Sequence, residues 1–217
     1  MKTRFVATAA LALVLATQIQ GAQADTLIDE GFDDVSTLAD KGWVLENRSS
    51  PLGPVPGWFQ GQDYIFPALN GDPTSYASSN YNAGVQGGSI ADWLITSQFS
   101  TKYDGTVSFW VRSDPNVGYL DFFSYGLSTG GSSTEDFTLT KAAAVPYAWT
   151  QVTFSYTGTG QDTFGRLAIV HVGLADIAND MGVDNVLITA VPEPSAPLLL
   201  GFGLLTLSLL LRRPQAR

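Results

Sequence analysis

The residues of this chain that could perform chemistry are few, and their spacing is unfavourable for catalysis. His171 is the only histidine, and cysteine is absent. Gly126 to Gly130 fits the G-x-S-x-G pattern of serine hydrolases, with Ser128 in the nucleophile position. That chemistry needs a tight turn from a strand into a helix, which exposes the serine hydroxyl. Here a Gly/Ser-rich stretch and a strand-like segment follow, so we predict no nucleophile at Ser128 and a structural, hydrogen-bonded role for His171.

Carboxylates are numerous, but they do not form the arrangement that glycoside hydrolysis requires. Sandwich hydrolases place two or three carboxylates close together on a strand, often as E-x-D-x-x-E. Between residues 25 and 190 the glutamates are Glu30, Glu46 and Glu135, and none lies in such a pattern. Asp29 and Glu30 are adjacent, so on a strand they would face opposite sides. A glycoside hydrolase is therefore the least favoured of the functions considered.

Aromatic residues are scattered through residues 47–88, a stretch rich in Pro, Gly, Asn and Ser. Rings in polar loops can stack on sugars, or they can fix the loops onto the body of a domain. Both interpretations fit the sequence. The first predicts glycan contacts at Trp58, Tyr64, Tyr76 and Tyr81.

The segments between these candidates read as short β-strands separated by turns. In Gly105–Arg112, Val107, Phe109 and Val111 point to one face, and polar residues alternate with them. Similar segments recur with turn residues between them, which is typical of a sandwich. The predicted strands are Thr26–Phe32, Gly105–Arg112, Tyr119–Ser128, Asp136–Lys141, Trp149–Thr157, Phe164–Gly173 and Gly182–Ala190. We predict an all-β fold, a two-sheet antiparallel jelly-roll sandwich over residues 25–190.

The N-terminal 24 residues have the features of a secretory signal peptide. Lys2 and Arg4 precede the apolar stretch Phe5–Ala16, and Ala22-Gln23-Ala24 supplies small residues for cleavage after Ala24. Export of the protein is therefore expected.

The C-terminal segment, residues 191–217, has three parts in a fixed order. Val191, Pro192, Glu193 and Pro194 are followed by the apolar run Leu198–Leu211 and then by Arg212 and Arg213. The prolines prevent a helix from extending backwards, and the arginines favour the cytoplasmic side of a membrane. As a helix the run is somewhat shorter than a bilayer core, so a membrane-inserted helix and a buried or interfacial helix both fit.

Charge and composition restrict the possible partners. Without the five basic residues and one acidic residue of the two ends, the central domain has 6 basic and 19 acidic residues, a net charge of −13. Such a surface repels nucleic-acid backbones, which argues against nucleic-acid binding, and it attracts divalent cations. Because cysteine is absent, stability must come from core packing, with or without a bound ion.

The C-terminal pattern resembles the sorting tail of PEP-CTERM proteins, which Gram-negative bacteria export and hand to an exosortase. This resemblance implies that the tail inserts transiently into the inner membrane and is cut near Pro192-Glu193-Pro194. The expected final location is the cell surface or the extracellular matrix. The expected partners are an exosortase-type enzyme and extracellular polysaccharide.

Several short motifs of the central domain carry a second resemblance. They are Glu30–Asp33, Gly42-Trp43, Ala91–Ser97, Val107–Trp110, Tyr125–Gly130, Trp149, Ile169–His171 and Val183–Val186. Together they resemble the choice-of-anchor J domain, which is related to cleaved-adhesin and MAM-like jelly rolls. The resemblance implies a sandwich with adjacent first and last strands, in an exported surface or matrix protein without catalytic activity.

The same resemblance implies a structural calcium ion. Related jelly rolls often hold calcium between an acid near the first strand and the Asp of the last strand, which here are Glu30 and Asp184, with Asp92 as a third candidate ligand. Calcium takes six to eight oxygen ligands, and backbone carbonyls can complete the shell. The alternative for Asp184 is a carboxylate satisfied by hydrogen bonds alone.

These observations favour a non-enzymatic, exported β-sandwich that acts in adhesion or in a biofilm and exopolysaccharide matrix. A carbohydrate-binding module with one defined glycan ligand is the alternative. Clustered aromatic rings with convergent Asn and Asp side chains would favour that alternative.

Overall fold

The alternating segments of the sequence form strands, as predicted. A computed structural model describes residues 24–191, and within it Thr26–Ala190 make up one compact unit. The predicted signal peptide and C-terminal helix lie outside the described residues. The strands are β1 Asp25–Glu30, β2 Val44–Asn47, β3 Ser50–Leu52, β4 Phe59–Gln60, β5 Ala77–Asn80, β6 Gly84–Ile95, β7 Phe99–Ser100, β8 Gly105–Ser113, β9 Phe122–Ser128, β10 Phe137–Leu139, β11 Ala143–Ala144, β12 Thr150–Tyr156, β13 Phe164–Leu174 and β14 Asp180–Ala190.

The strands form two sheets, which confirms the predicted two-sheet antiparallel sandwich. The first sheet has the order β12-β8-β14-β5-β4, and β1 also pairs with β14. The second has the order β10-β9-β13-β6-β2, with β11 on β9, β3 on β6 and β7 on β13. The first and last strands are therefore neighbours, as the resemblance implied. Within residues 24–191 the helices are three short 3-10 turns, at Val35–Thr37, Tyr81–Ala83 and Thr134–Asp136.

The core lies between the inner faces of the two sheets. Val107, Phe109 and Val111 of β8 are fully buried, and the residues between them are half-buried. They pack with Leu167 and Ile169 of β13, in the second sheet, in one cluster. Burial of apolar surface at about 25 cal/mol per Å² makes this cluster the main stabilising feature of the domain.

A β-bulge in β14 changes which residues face the core. The pairing with β8 shifts between Asp184 and Leu187, and Asn185 has a φ of 48°. Asparagine tolerates this left-handed conformation better than most residues. Because of the extra residue, Val183 and Val186 are both fully buried although they are three positions apart.

Part of the aromatic-rich region covers the outer face of the first sheet. Phe66 and Tyr76 stack at 4.9 Å, and Trp149 meets each of them edge-on at 5.8 Å. Gly182 of β14 lies beneath them, where an added Cβ would come within 2.8–3.0 Å of all three rings. Arg112 packs over the Phe66 ring at 4.8 Å. This part of the region is therefore fixed onto the sandwich by its rings.

The outer face of the second sheet is closed by a different aromatic pair. Trp93 of β6 and Phe137 of β10 have ring centroids 5.8 Å apart, although β13 and β9 separate their strands. Three strand spacings would be about 14 Å in a flat sheet. The two side chains therefore reach toward each other across the sheet, and their rings pack in one cluster with Ala168 and Val170.

Candidate functional site

A cleft of about 650 Å³ opens at one end of the sandwich. The connections from β5 to β6, from β8 to β9 and from β13 to β14 all reach this end, and each contributes to the walls. The residues that line it include Tyr81, Asn82, Gln86, Asn116, Tyr119, Asp176 and Asn179. We call this feature the end cleft.

The chemistry of the end cleft suits a sugar. Tyr81 and Tyr119 are 43% and 42% exposed, so both rings are accessible to a ligand. Tyrosine offers an apolar ring face and a hydroxyl. The amides of Asn82, Gln86 and Asn116 supply paired donors and acceptors, which can bond to vicinal sugar hydroxyls. Aromatic walls combined with a few polar groups are typical of small-ligand sites.

Local hydrogen bonds hold the walls of the end cleft in place. The Asn80 side chain accepts from the Asn82 backbone N–H and caps the 3-10 turn that carries Tyr81. The Tyr81 N–H donates to the Asn179 carbonyl at 2.8 Å. On the opposite side, Asp176 accepts from the Gly87 N–H at 2.9 Å.

A small apolar cluster accompanies these bonds. Ala83, Ile90, Ala175 and Ala178 pack together as a buried group separate from the main core. Ala175 and Ala178 also line the end cleft. The walls therefore have a packed support of their own, which favours a site formed before a ligand arrives.

Behind the end cleft, a buried chain of polar side chains crosses the interior between the two sheets. Ser79 of β5 donates to Asp92 of β6 at 2.7 Å, and the Ser79 Oγ lies 3.0 Å from the His171 Nδ1 of β13. The His171 Nε2 is 3.1 Å from an Asp121 oxygen, just before β9. All four side chains are at most 1% exposed. We call these residues the polar network.

Three contacts at hydrogen-bond distance join the four members of the polar network. Both ring nitrogens of His171 take part, one toward Ser79 and the other toward Asp121. The polar network therefore uses the whole imidazole ring, which fixes its orientation between the two sheets.

Burial shifts the proton affinity of the acids in this half of the interior. Burial raises the pKa of Asp92 to about 6, and the Ser79 hydrogen bond and the nearby His171 only partly offset this. The Asp92 Oδ1 is buried with no partner among residues 24–191, which adds to the cost of a charge there. The pKa of Asp180 is likewise raised to about 6, mainly by burial and further by the charges of Asp121 and Asp114.

Asn179 connects the polar network to the end cleft. Its backbone N–H donates to Asp121 at 2.8 Å, and its side-chain amide donates to Asp114 at 2.7 Å. The same residue lines the end cleft and accepts from Tyr81. Asn179 is therefore in direct contact with both the polar network and one wall of the end cleft.

Ser79, His171 and Asp121 have the connectivity of a catalytic triad but not its accessibility. The nucleophile of a hydrolase must reach its substrate. Ser79 and His171 are 0% exposed, and the Ser79 hydroxyl also bonds to Asp92. In this arrangement the three side chains form a structural hydrogen-bonded bridge between the sheets.

The three predicted metal ligands have separate partners. One oxygen of Glu30 forms an ion pair with Lys41 at 2.8 Å, and the other accepts from the Phe32 N–H at 2.9 Å. Asp92 belongs to the polar network. Among residues 24–191, no group of three or more His, Asp or Glu side chains is placed to hold a metal ion.

Asp184, the remaining predicted ligand, accepts from the N–H groups of Leu69 at 2.9 Å and Asn185 at 2.7 Å. Burial raises its pKa to about 6, and the charge of Asp33 adds to the rise. The Lys41 ammonium already pairs with the Glu30 carboxylate, to which a calcium ion would have to bind. Glu30 and Asp184 therefore do not form a preformed calcium site. Calcium binding stays a prediction.

The four predicted glycan contacts differ in how accessible they are. Tyr76 is fully buried, so its ring serves packing and cannot stack on a sugar, which corrects the interpretation of that residue. Trp58 is 5% exposed and borders a second pocket of about 560 Å³, so a glycan contact at Trp58 stays a prediction. Tyr64 is 76% exposed and Tyr81 lines the end cleft. The sequence interpretation missed Tyr119, because it was placed at the start of a strand.

The remaining sequence candidates are placed as follows. Ser128 lies at the end of β9, and its hydroxyl donates to the Gly131 carbonyl at 2.7 Å without a following α-helix. Of the sorting motif, only Val191 is a described residue, while Pro192, Glu193, Pro194, Arg212 and Arg213 lie outside. In the part of the chain that is described, no helix has the length and hydropathy to cross a membrane.

Comparison with known proteins identifies the fold. The scan against protein-family models and the search of curated proteins found no match. Among solved structures, the K3 and K1 cleaved adhesin domains of Lys-gingipain from Porphyromonas gingivalis are each 18% identical to this chain. Each has a TM-score of 0.55 and covers 77% of this chain, and the alignments span 99% and 100% of those domains. The K2 domain gives 16% identity and a TM-score of 0.51. The chain therefore has the β-sandwich fold of cleaved adhesin domains.

Proposed function

We propose that the domain is a non-catalytic adhesin that binds neutral glycan chains through the end cleft. The observation that carries this proposal is the pairing of two exposed tyrosine rings with the amides of Asn82, Gln86 and Asn116 in one cleft. A fold shared with domains that are themselves described as adhesins is consistent with it.

The charge of the domain narrows the class of glycan. Asp176 lines the end cleft, and Asp114 lies directly behind it through Asn179. With 6 basic and 19 acidic residues in the central domain, polyanionic chains are repelled. Neutral hexose or N-acetylhexosamine chains are therefore the ligands that suit the cleft.

The test is a glycan array followed by titration calorimetry with the purified protein. Tyr81→Ala and Tyr119→Ala should each weaken binding by about tenfold or more, which corresponds to about 1.4 kcal/mol. Tyr64→Ala is the matched control, because Tyr64 is exposed and is not among the residues that line the end cleft. Loss of binding in the Tyr64 variant instead would place the ligand on the loop before β5.

The array also separates the two functional classes. Binding to several related polysaccharides supports an adhesin, and binding to one defined oligosaccharide supports a carbohydrate-binding module. If the protein binds no glycan, the proposal fails.

We further propose that the chain is exported through residues 1–24 and sorted by an exosortase-type enzyme through residues 191–217. The support is the sequence pattern at each end: basic, apolar and small residues first, then the Pro-Glu-Pro motif, an apolar run and Arg212-Arg213. Mass spectrometry of the protein from its host should show cleavage after Ala24 and loss of the tail near Pro194. A full-length chain in the cytosol would overturn the proposal.

A further inference from the structure

Most strands that pair on one side only are protected against further pairing. Strands β2, β3, β4, β7, β10 and β11 have two to four residues each. Strand β1 is longer, but it carries Asp25, Asp29 and Glu30. Short length and charge are the usual means by which proteins prevent their sheet edges from joining.

Strand β12 has neither protection. It runs from Thr150 to Tyr156 and pairs with β8 along all seven residues, at the end of the first sheet. Its sequence, TQVTFSY, contains no charge and no proline. Among residues 24–191, the backbone groups on its other side have no hydrogen-bond partner. This edge therefore offers a free row of donors and acceptors.

The side chains of β12 leave the rim of the core partly open. Val152, Phe154 and Tyr156 point inward but are only half-buried, and the Phe154 ring contacts the Tyr125 ring at 5.2 Å. Thr153 and the polar residues beside it are exposed on the other face. An additional strand at this edge would cover the apolar rim.

We propose that β12 pairs antiparallel with β12 of a second copy of this chain, about a two-fold axis at Thr153. In this register all seven residues pair: Val152 meets Phe154 of the second copy, Gln151 meets Ser155, and Thr153 meets itself. On the core side Val152 then faces Phe154 and Thr150 faces Tyr156, while hydroxyls and an amide face each other outside. Slipping by one residue would place apolar side chains on the polar face.

The charge distribution allows a second copy to approach at β12. The central domain carries a net charge of −13, so two copies repel each other over most of their surface. β12 itself is uncharged, which removes local repulsion where the strands meet. Added salt should screen the remaining repulsion and strengthen the association. This inference does not depend on glycan binding.

The decisive experiment is a charge swap at Thr153, followed by analytical ultracentrifugation of the purified protein at increasing concentration. The wild-type chain should dimerise, and more strongly in added salt. Thr153→Lys and Thr153→Glu should each weaken self-association at least tenfold, because each places like charges opposite one another. An equimolar mixture of the two variants should restore the dimer, since opposite charges then meet.

Thr138→Lys is the matched control, because Thr138 is an exposed threonine on the short edge strand β10. It should leave dimerisation unchanged. A wild-type chain that stays monomeric at high concentration, or a dimer that both Thr153 variants leave intact, would overturn the proposal. Equal loss in the Thr138 variant would indicate a general charge effect and would also overturn it.

Hydrogen exchange supplies a measurement that needs no variant. The β12 amides that face away from β8 should exchange slowly in concentrated protein and quickly in dilute protein, while the β8 amides stay protected throughout. Exchange in β12 that is independent of concentration would contradict strand pairing.

Discussion

The two ends of the interior are built differently. At one end, Val107, Phe109 and Val111 pack with residues of the opposite sheet in an apolar core. At the other end, the polar network of Ser79, Asp92, His171 and Asp121 joins the sheets by hydrogen bonds. Apolar packing is almost indifferent to pH, whereas a buried carboxyl group such as Asp92, whose pKa burial raises to about 6, is not. The cleft lies at the polar end, so the end that carries the candidate site is also the end that responds to its surroundings.

The largest effect should come from the apolar end. Phe109→Ala removes a ring that is fully buried and lies 5.4 Å from the Tyr125 ring. We expect a loss of about 3–5 kcal/mol in the free energy of unfolding, from lost burial and the cavity left behind. Denaturant unfolding should give the same loss at pH 5 and pH 7.5. Phe164→Ala, at a ring that is 53% exposed, is the control and should cost under about 1 kcal/mol.

The next effect should come from the polar end. His171→Ala leaves Ser79 and Asp121 each without one buried partner, so we expect a loss of about 3 kcal/mol at pH 7.5. Denaturant unfolding at that pH measures the loss. A loss below about 1 kcal/mol would show that the buried bridge contributes little to the stability of the domain.

The unmodified domain should lose stability as pH rises from about 4 to about 6. Asp92, Asp180 and Asp184 have folded-state pKa values raised from 3.8 to about 6. The folded state then binds protons more tightly than the unfolded state, so this stabilisation is complete below the unfolded pKa and is lost as pH passes the folded pKa.

Asp92→Asn isolates one of these three carboxyl groups. Each shift of about two units corresponds to at most about 3 kcal/mol. As pH rises from about 4 to about 6, the stability of the variant should therefore fall less than that of the unmodified domain. The difference should be about one third of the fall that the three carboxyl groups together produce. The difference between the melting curves of the two proteins across pH 4–7 measures this share. A difference that does not change with pH would mean that Asp92 does not titrate there.

Removing calcium should have the smallest effect. If Glu30 and Asp184 hold the ion, a chelator should lower Tm by a few degrees, which is about 1 kcal/mol for a domain of this size. Asp184→Asn should abolish that shift, and Lys41→Ala should increase it, because Lys41 now pairs with Glu30. Asp92→Asn tests whether Asp92, the third predicted ligand, contributes to calcium binding. A Tm that chelation leaves unchanged would remove the calcium prediction.

The strands were predictable where apolar and polar residues alternate, and not elsewhere. The alternation of apolar and polar residues predicted the bounds of β8 and β12 to within one or two residues of those observed. β4 and β7 have two residues each, too few for a period to be visible. The start of β6, at Gly84, was taken as loop because its glycines have no side chains to alternate.

The candidate site was less predictable, because it is assembled by contacts between distant segments. Ser79 and His171 are 92 residues apart in sequence, and Asp121 precedes a strand without any pattern that would mark it. Periodicity also does not tell a ring that packs on its own domain from a ring that faces solvent. Tyr76 and Tyr64 looked alike in sequence, yet one is fully buried and the other is 76% exposed.

The contact between Trp93 and Phe137 has a consequence for the outer face of the second sheet. Because these rings meet across β13 and β9, they pack with Ala168 and Val170, which are both fully buried. Two side chains thus supply, over this part of the sheet, a cover that a packed helix supplies in many other folds.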